Sequence, residues 1–125
     1  MRKFEMVKDK FIDFSEDLTF VFPHRSTDHS AGYDFFAPKT YVINPGESAI
    51  IPTYFKAYMN PDEVLLIAPR SSFGYNYDMQ IKSTIGVIDA DYVDNEDNDG
   101  NIIIGVKNNS DKVLTIEAGK HFAQG

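Results

Sequence analysis

No stretch of this chain holds a helical repeat of apolar residues for long. Its Val, Ile, Tyr and Phe residues come instead in short pieces: Leu18–Phe22, Gly32–Phe36, Tyr41–Ile43, Ser48–Pro52, Phe55–Met59, Val64–Ala68, Ile85–Ile88, Ile102–Val106 and Val113–Ile116. Turn-forming runs such as Asn44-Pro45-Gly46, Asn60-Pro61-Asp62 and Asn108-Asn109-Ser110 separate many of them. Strands this short and closely spaced must cover one another's apolar faces, so the pattern predicts an all-β barrel or sandwich of the jelly-roll kind with little or no helix. The best helical candidate is one turn at Ser71–Tyr75, where Ser71 or Ser72 would cap the end. At 125 residues, with no internal repeat, linker or low-complexity segment, the expectation is one domain over residues 1–125.

Charge narrows the function. The net charge is −7, and six carboxylates (Asp89, Asp91, Asp94, Glu96, Asp97, Asp99) lie in one stretch with no basic residue. Such a chain is a poor binder of nucleic acid or of an anionic membrane, both of which need a basic face. The absence of Cys excludes disulfides, thiolate nucleophiles and Cys-ligated metals. No apolar run approaches the ~20 residues of a membrane span, and residues 1–20 lack the apolar region of a signal peptide, so the cytoplasm is expected. Within the acidic stretch, Asn95-x-Asp97-x-Asp99-Gly100 matches the first half of an EF-hand loop. Val106, however, stands at the twelfth position, where a bidentate Glu is required. A flexible, solvated acidic hairpin is the better account.

His24, His29 and His121 show no metal-ligand spacing, and there is no Gly-x-Ser-x-Gly elbow, phosphate-binding P-loop or dinucleotide fingerprint. Three islands remain: Ala31-Gly32-Tyr33-Asp34, Pro69-Arg70-Ser71-Ser72 and Gly86-Val87-Ile88-Asp89-Ala90-Asp91-Tyr92. A guanidinium, two hydroxyls and free N–H groups at a helix start would cradle a phosphate. Asp89 closes an apolar strand, a costly place for a carboxylate unless it is paired or used. Facing a phosphate-binding Arg70 it would activate water beside a phosphoryl centre; simple pairing with Arg70 is compatible with that.

Taken in order, the islands resemble the motifs of the homotrimeric, all-β deoxyuridine triphosphatases. Ala31-Gly32-Tyr33-Asp34-Phe35-Phe36-Ala37 is similar to the first motif of that family, Pro69-Arg70-Ser71-Ser72 to the second and Gly86-Val87-Ile88-Asp89-Ala90-Asp91-Tyr92 to the third. Gly119-Lys120-His121-Phe122-Ala123-Gln124 is similar to the fourth. The resemblance implies a distorted jelly-roll barrel, a homotrimer, and hydrolysis of dUTP to dUMP and pyrophosphate, which supplies dUMP for thymidylate synthesis and keeps uracil out of DNA. It implies Asp89 as the base that directs water at the α-phosphorus, and Tyr92 as the ring that packs on the deoxyribose and rejects a 2′-hydroxyl. Ser71 would bond the phosphate chain near the α–β bridging oxygen, with Ser72 beside it. Arg70 would hold Asp89 and the phosphate loop, and Gln124 would contact the phosphates. Gly86 and Ile88 belong to the same substrate-binding set. Magnesium ion (Mg²⁺) is implied by the charge of the triphosphate, with Asp34 acting on it through water. Uracil would be read by backbone groups of the hairpin after Tyr92.

Two departures from the family pattern stand out. The connection Val93–Asn101 is longer and more acidic, and the sequence stops at Gly125, one residue past the fourth motif, where the family's fifth, Gly-rich motif would follow. The expectation from the second departure is a chain that binds deoxyuridine nucleotides but turns over slowly. Two other readings compete. A dCTP deaminase shares the fold and the Arg-Ser-Ser segment and would use Glu96. A non-catalytic nucleotide-binding or regulatory module would offer Asp94–Asp99 to a protein partner.

Overall fold

The computed structural model describes residues 2–125. Eleven strands dominate it: β1 Lys3–Met6, β2 Asp34–Phe36, β3 Tyr41–Ile43, β4 Ser48–Pro52, β5 Phe55–Tyr58, β6 Val64–Pro69, β7 Gln80–Ile81, β8 Gly86–Asp89, β9 Ile103–Lys107, β10 Leu114–Ile116 and β11 His121–Gln124. Between β6 and β7 lies one helix, α1 Ser71–Tyr77, and a 3-10 turn covers Asp9–Phe11. All the strand pairs are antiparallel. The largest sheet has the order β2-β11-β6-β8, a second has β4-β9-β7, and two ribbons pair β1 with β5 and β3 with β10. This is the all-β, jelly-roll architecture expected from the sequence. No described helix is long and apolar enough to cross a membrane.

The core draws inward residues from nearly every strand. Phe35, Ile51, Ile67, Ile104, Val106, Leu114, Ile116 and Phe122 are fully or almost fully buried. A register shift between His121 and Ala123 interrupts strict alternation in β11, so consecutive residues Phe122 and Ala123 both face inward. A smaller cluster around Val7, Ile12 and Tyr54 takes up Leu18 and Phe20.

Four local expectations are corrected. Leu18–Phe22 forms no strand; Phe20 and Phe22 instead lay their rings edge-on against Tyr54 and Phe55. Three strands lacked a sequence signal. β1 interleaves Lys3 and Glu5 with Phe4 and Met6, β7 has only two residues, and β11 starts from a polar Gly-Lys-His run. The helix runs two residues past Tyr75 and ends at Asp78, which adopts a left-handed conformation with φ of 48°. Neither Ser71 nor Ser72 caps it: Arg70 occupies the cap position, without a side-chain cap bond.

Candidate functional site

The register of the large sheet sorts the candidate residues into two groups. On one side, Asp34 of β2 lies opposite Gln124 of β11, which in turn lies opposite Ala68 of β6. These three border a cleft of about 480 Å³ that Ser26, Ser30 and Gly32 also line. Ser26 and Thr27 direct their hydroxyls to Ser30, so the rim carries a small hydroxyl network beside the Asp34 carboxylate. One residue past β6, the Arg70 N–H donates to the Phe122 carbonyl at 2.9 Å. The Arg70 guanidinium lies 5.5 Å from the Phe73 ring centre and reaches the His121 carbonyl at 3.5 Å. Ser71 and Ser72 follow, their hydroxyls free of capping duty.

A row of aromatic rings stiffens this end. His24 stacks on Phe36, and Phe36 meets His121 edge-on. Burial, reinforced by the Arg70 cation, holds the His121 pKa below its ordinary value; Asp34 opposes this without cancelling it.

The second group sits at the other end of the same strands. β6 and β8 pair Val64 with Asp89, Leu65 with Ile88, Leu66 with Val87 and Ile67 with Gly86. Gly86 and Ile88 turn inward. Ile88 packs on the core, and a Cβ on Gly86 would lie 2.8 Å from the Ile67 Cβ, so glycine is needed for the two strands to approach. Val87 and Asp89 point outward. The Tyr92 N–H donates to the Asp89 carbonyl at 3.1 Å, so a tight turn sets the Asp89–Tyr92 spacing.

Arg70 and Asp89 therefore do not meet. Arg70 lies six residues along the chain from Val64, the partner of Asp89. At ~3.3 Å per residue that separates them by about 20 Å. Asp89 makes no ion pair among the described residues. The expected contact, in which Arg70 holds or pairs with Asp89, is overturned within one chain by the strand register.

The acidic stretch after Asp89 is not a flexible, solvated hairpin. Lys56, 5% exposed on β5, places its ammonium 2.7 Å from Asp94 Oδ1 and 2.9 Å from Asp99 Oδ2. Asp99 is itself buried and also accepts the Lys8 N–H at 2.9 Å, while the Tyr58 hydroxyl donates to Asp94. Burial pushes the Lys56 pKa down, but bonds to Asp94 and Asp99 outweigh it and hold the ammonium well above its ordinary range. Burial likewise opposes ionisation of Asp99, yet Lys56 and the Lys8 N–H keep its carboxyl below the ordinary value. Lys56 and Tyr58 do the same for Asp94.

Gly100, at φ of 89°, has room only for hydrogen where a Cβ would lie 2.7 Å from the Val93 Cα. Among the described residues, no cluster of three or more His, Cys, Asp or Glu side chains could bind a metal. The interaction surface expected at Asp94–Asp99 also shrinks, since Lys56 takes two of its carboxylates and leaves Glu96 and Asp97 to solvent.

Sequence reading missed Lys56, although it carried a signal, a single Lys between Phe55 and Ala57 in an otherwise apolar strand.

Comparison with known proteins identifies the family. The sequence pattern of the dUTPase family matches residues 19–124. The deoxyuridine 5′-triphosphate nucleotidohydrolase of Lactococcus lactis subsp. lactis is 44% identical over 103 residues, covering 82% of this chain and 69% of that protein. The crystal structure of the Streptococcus mutans dUTPase superposes with a TM-score of 0.79 at 36% identity, over 97% of this chain and 90% of that one. The fold is shared as well with a mutant dUTPase of Staphylococcus aureus phage phi11, at a TM-score of 0.74 and 23% identity. It covers 99% of this chain and 87% of that one, and its structure shows the coordination of a structural Mg(II) ion.

Proposed function

The chain belongs to the dUTPase family and is a dUTP nucleotidohydrolase, and we propose that its active site is shared between copies of the chain, Asp89 from one copy meeting the Arg70–Ser71 segment of another. The observation that carries this reading is the separation of the two groups along β6 and β8. The outward face of these strands is apolar: Val64, Leu66 and Val87 are 52%, 48% and 56% exposed, and Asp89 stands on the same face. Covering that face with a second copy would bury the apolar residues and bring a foreign phosphate cleft up to Asp89. A homotrimer closes such head-to-tail contacts with three equivalent sites.

In this reading the triphosphate lies along the cleft edged by Asp34 and Gln124, and Arg70 and the Ser71 and Ser72 hydroxyls hold it. The deoxyribose meets the Tyr92 ring. Gly86 and Ile88 act through the strand rather than by touching substrate, since both face the core. Asp89 accepts a proton from water as the oxygen attacks the α-phosphorus. The bond from that phosphorus to the α–β bridging oxygen breaks, leaving dUMP and pyrophosphate. Charge gathering on the departing oxygen is met by Ser71 and Arg70.

Mg²⁺ enters this scheme with the triphosphate. The donor set fits that role and not a resident site: one carboxylate, Asp34, and the Gln124 amide border the cleft, which suits an ion that keeps its waters and most of its phosphate ligands. When bound, the ion neutralises phosphate charge and favours departure of pyrophosphate. Since its substrate is a free nucleotide, we place the enzyme in the cytoplasm.

The test is release of pyrophosphate from dUTP by the purified protein and by Asp89→Asn. Turnover should fall at least ~100-fold with dUMP affinity retained. Undiminished turnover in the variant would remove Asp89 from the chemistry.

A further inference from the structure

The hydroxyl of Tyr92 is engaged on both sides. It donates to the Asn101 carbonyl at 2.8 Å, and the same oxygen accepts from Asn98 Nδ2 at 2.7 Å. Asn98 is not free to turn away. Its Oδ1 accepts from Asn95 Nδ2 at 2.8 Å and from the Gly100 N–H at 3.0 Å, which fixes which end of the amide faces the phenol. Asn95 in turn donates to the Tyr92 carbonyl at 2.8 Å, closing the circuit on the residue where it began.

Closing the loop does not by itself require this arrangement. Backbone bonds from Asp94 to Asp99 and from Asp99 to Asn95, with Lys56 beneath, already hold the ends together. The Asn98 side chain spends its one donor contact on the phenol. With its O–H donated and a lone pair occupied, the phenol oxygen has little left for a ligand. The hydroxyl end of the ring is thereby anchored, and the ring presents a face rather than a polar tip.

We propose that Asn98 is a positioning residue for sugar discrimination: it anchors the hydroxyl end of the Tyr92 ring so that the ring stays in place and excludes a ribose 2′-hydroxyl. The proposal rests on the reading of Tyr92 as the ring that meets the sugar. A ring free to swing would leave space for the extra oxygen part of the time, so losing the clamp weakens discrimination before it weakens chemistry.

The experiment compares kcat and KM for dUTP and UTP in the wild type, Asn98→Asp, Tyr92→Phe, the double variant and Tyr92→Ala. Asn98→Asp keeps the Oδ1 acceptor that the Gly100 N–H needs and replaces the donor to the phenol with a charged acceptor, which can bond the phenol only by taking its O–H from the Asn101 carbonyl. It should lower the dUTP-over-UTP preference about tenfold through KM, with kcat for dUTP within about twofold and the melting temperature nearly unchanged. In the Tyr92→Phe background the same substitution should have no further effect, because no hydroxyl remains to clamp. A preference unchanged by Asn98→Asp, or an effect that persists without the hydroxyl, overturns the proposal. Tyr92→Ala separates this from the parent reading. If it leaves the preference intact, the sugar role of Tyr92 itself fails; if it abolishes the preference while Asn98→Asp does nothing, only the role of Asn98 fails.

Discussion

Arg70 and Asp89 belong to opposite ends of one antiparallel pair, β6 with β8, about 20 Å apart at ~3.3 Å per residue. Both stand in short motifs that look as though they should converge, and the register keeps them apart. In the shared-site reading, the reaction recruits them from different copies of the chain.

Mixed assemblies test this directly. Arg70→Ala and Asp89→Asn chains should each be nearly inactive alone. Co-folded in equal amounts, they should regain about a quarter of the wild-type sites, the share in which an intact Asp89 faces an intact Arg70 in a closed ring. No recovery after confirmed mixing would mean that one chain supplies both groups.

Gly86→Ala should be costly for a reason unrelated to ligands. Its new methyl would sit 2.8 Å from the Ile67 Cβ, an atom that no rotamer change can move. Overpacking of this kind costs about 1–3 kcal/mol, read as a lower midpoint in denaturant at unchanged m-value. Ile67→Ala should fail to rescue it, because alanine keeps the clashing atom. Rescue would show that the longer Ile67 branches, and not strand spacing, set the limit.

Lys56→Met should destabilise the protein by about 3–5 kcal/mol, because the buried Asp99 would keep only the exposed Lys8 ammonium, 4.0 Å away, as counter-charge. The pH dependence follows from the two directions of shift. Asp94 and Asp99 titrate below their ordinary 3.8, so their contribution is present above that value and is lost as pH falls through the lower folded values. Lys56 titrates above its ordinary 10.5, so its contribution is present below 10.5 and is lost as pH rises through the higher folded value. The contribution of this cluster should thus be level across the neutral range and fall at both extremes, and Lys56→Met should flatten the acid limb of the melting temperature. An unchanged acid limb would place the ion pair outside the stability balance.

Much of the barrel was legible because its strands are apolar and its turns carry Asn, Pro and Gly. β3 and β4 fall on the residues that the pattern marked. Strands held by partners rather than by composition were not legible. β1 owes its place to β5, and β11 lies between β2 and β6. The same holds at the site. Short motifs marked Asp34, Arg70, Asp89 and Tyr92, but spacing along a chain says nothing of which end of a ladder a residue reaches. The acidic loop misled for a related reason: six carboxylates suggest solvent, and only the fold reveals that Lys56 reaches them from the core side.

The buried seat of Asp99 also bears on how the protein ages. Aspartate followed by glycine is the aspartyl sequence most prone to cyclise, the glycine nitrogen attacking the side-chain carboxyl and leaving isoaspartate in the chain. Here the Gly100 N–H is committed to Asn98 Oδ1 and the Asp99 carboxylate to Lys56 and the Lys8 N–H, so the attacking and attacked atoms are each held elsewhere. Peptide mapping after long storage should find isoaspartate at this bond accumulating far more slowly in the folded wild type than in the unfolded chain, and faster in folded Lys56→Met, where the carboxylate loses one of its partners. The contacts that shape the loop thus also act as a preservative for its most perishable bond.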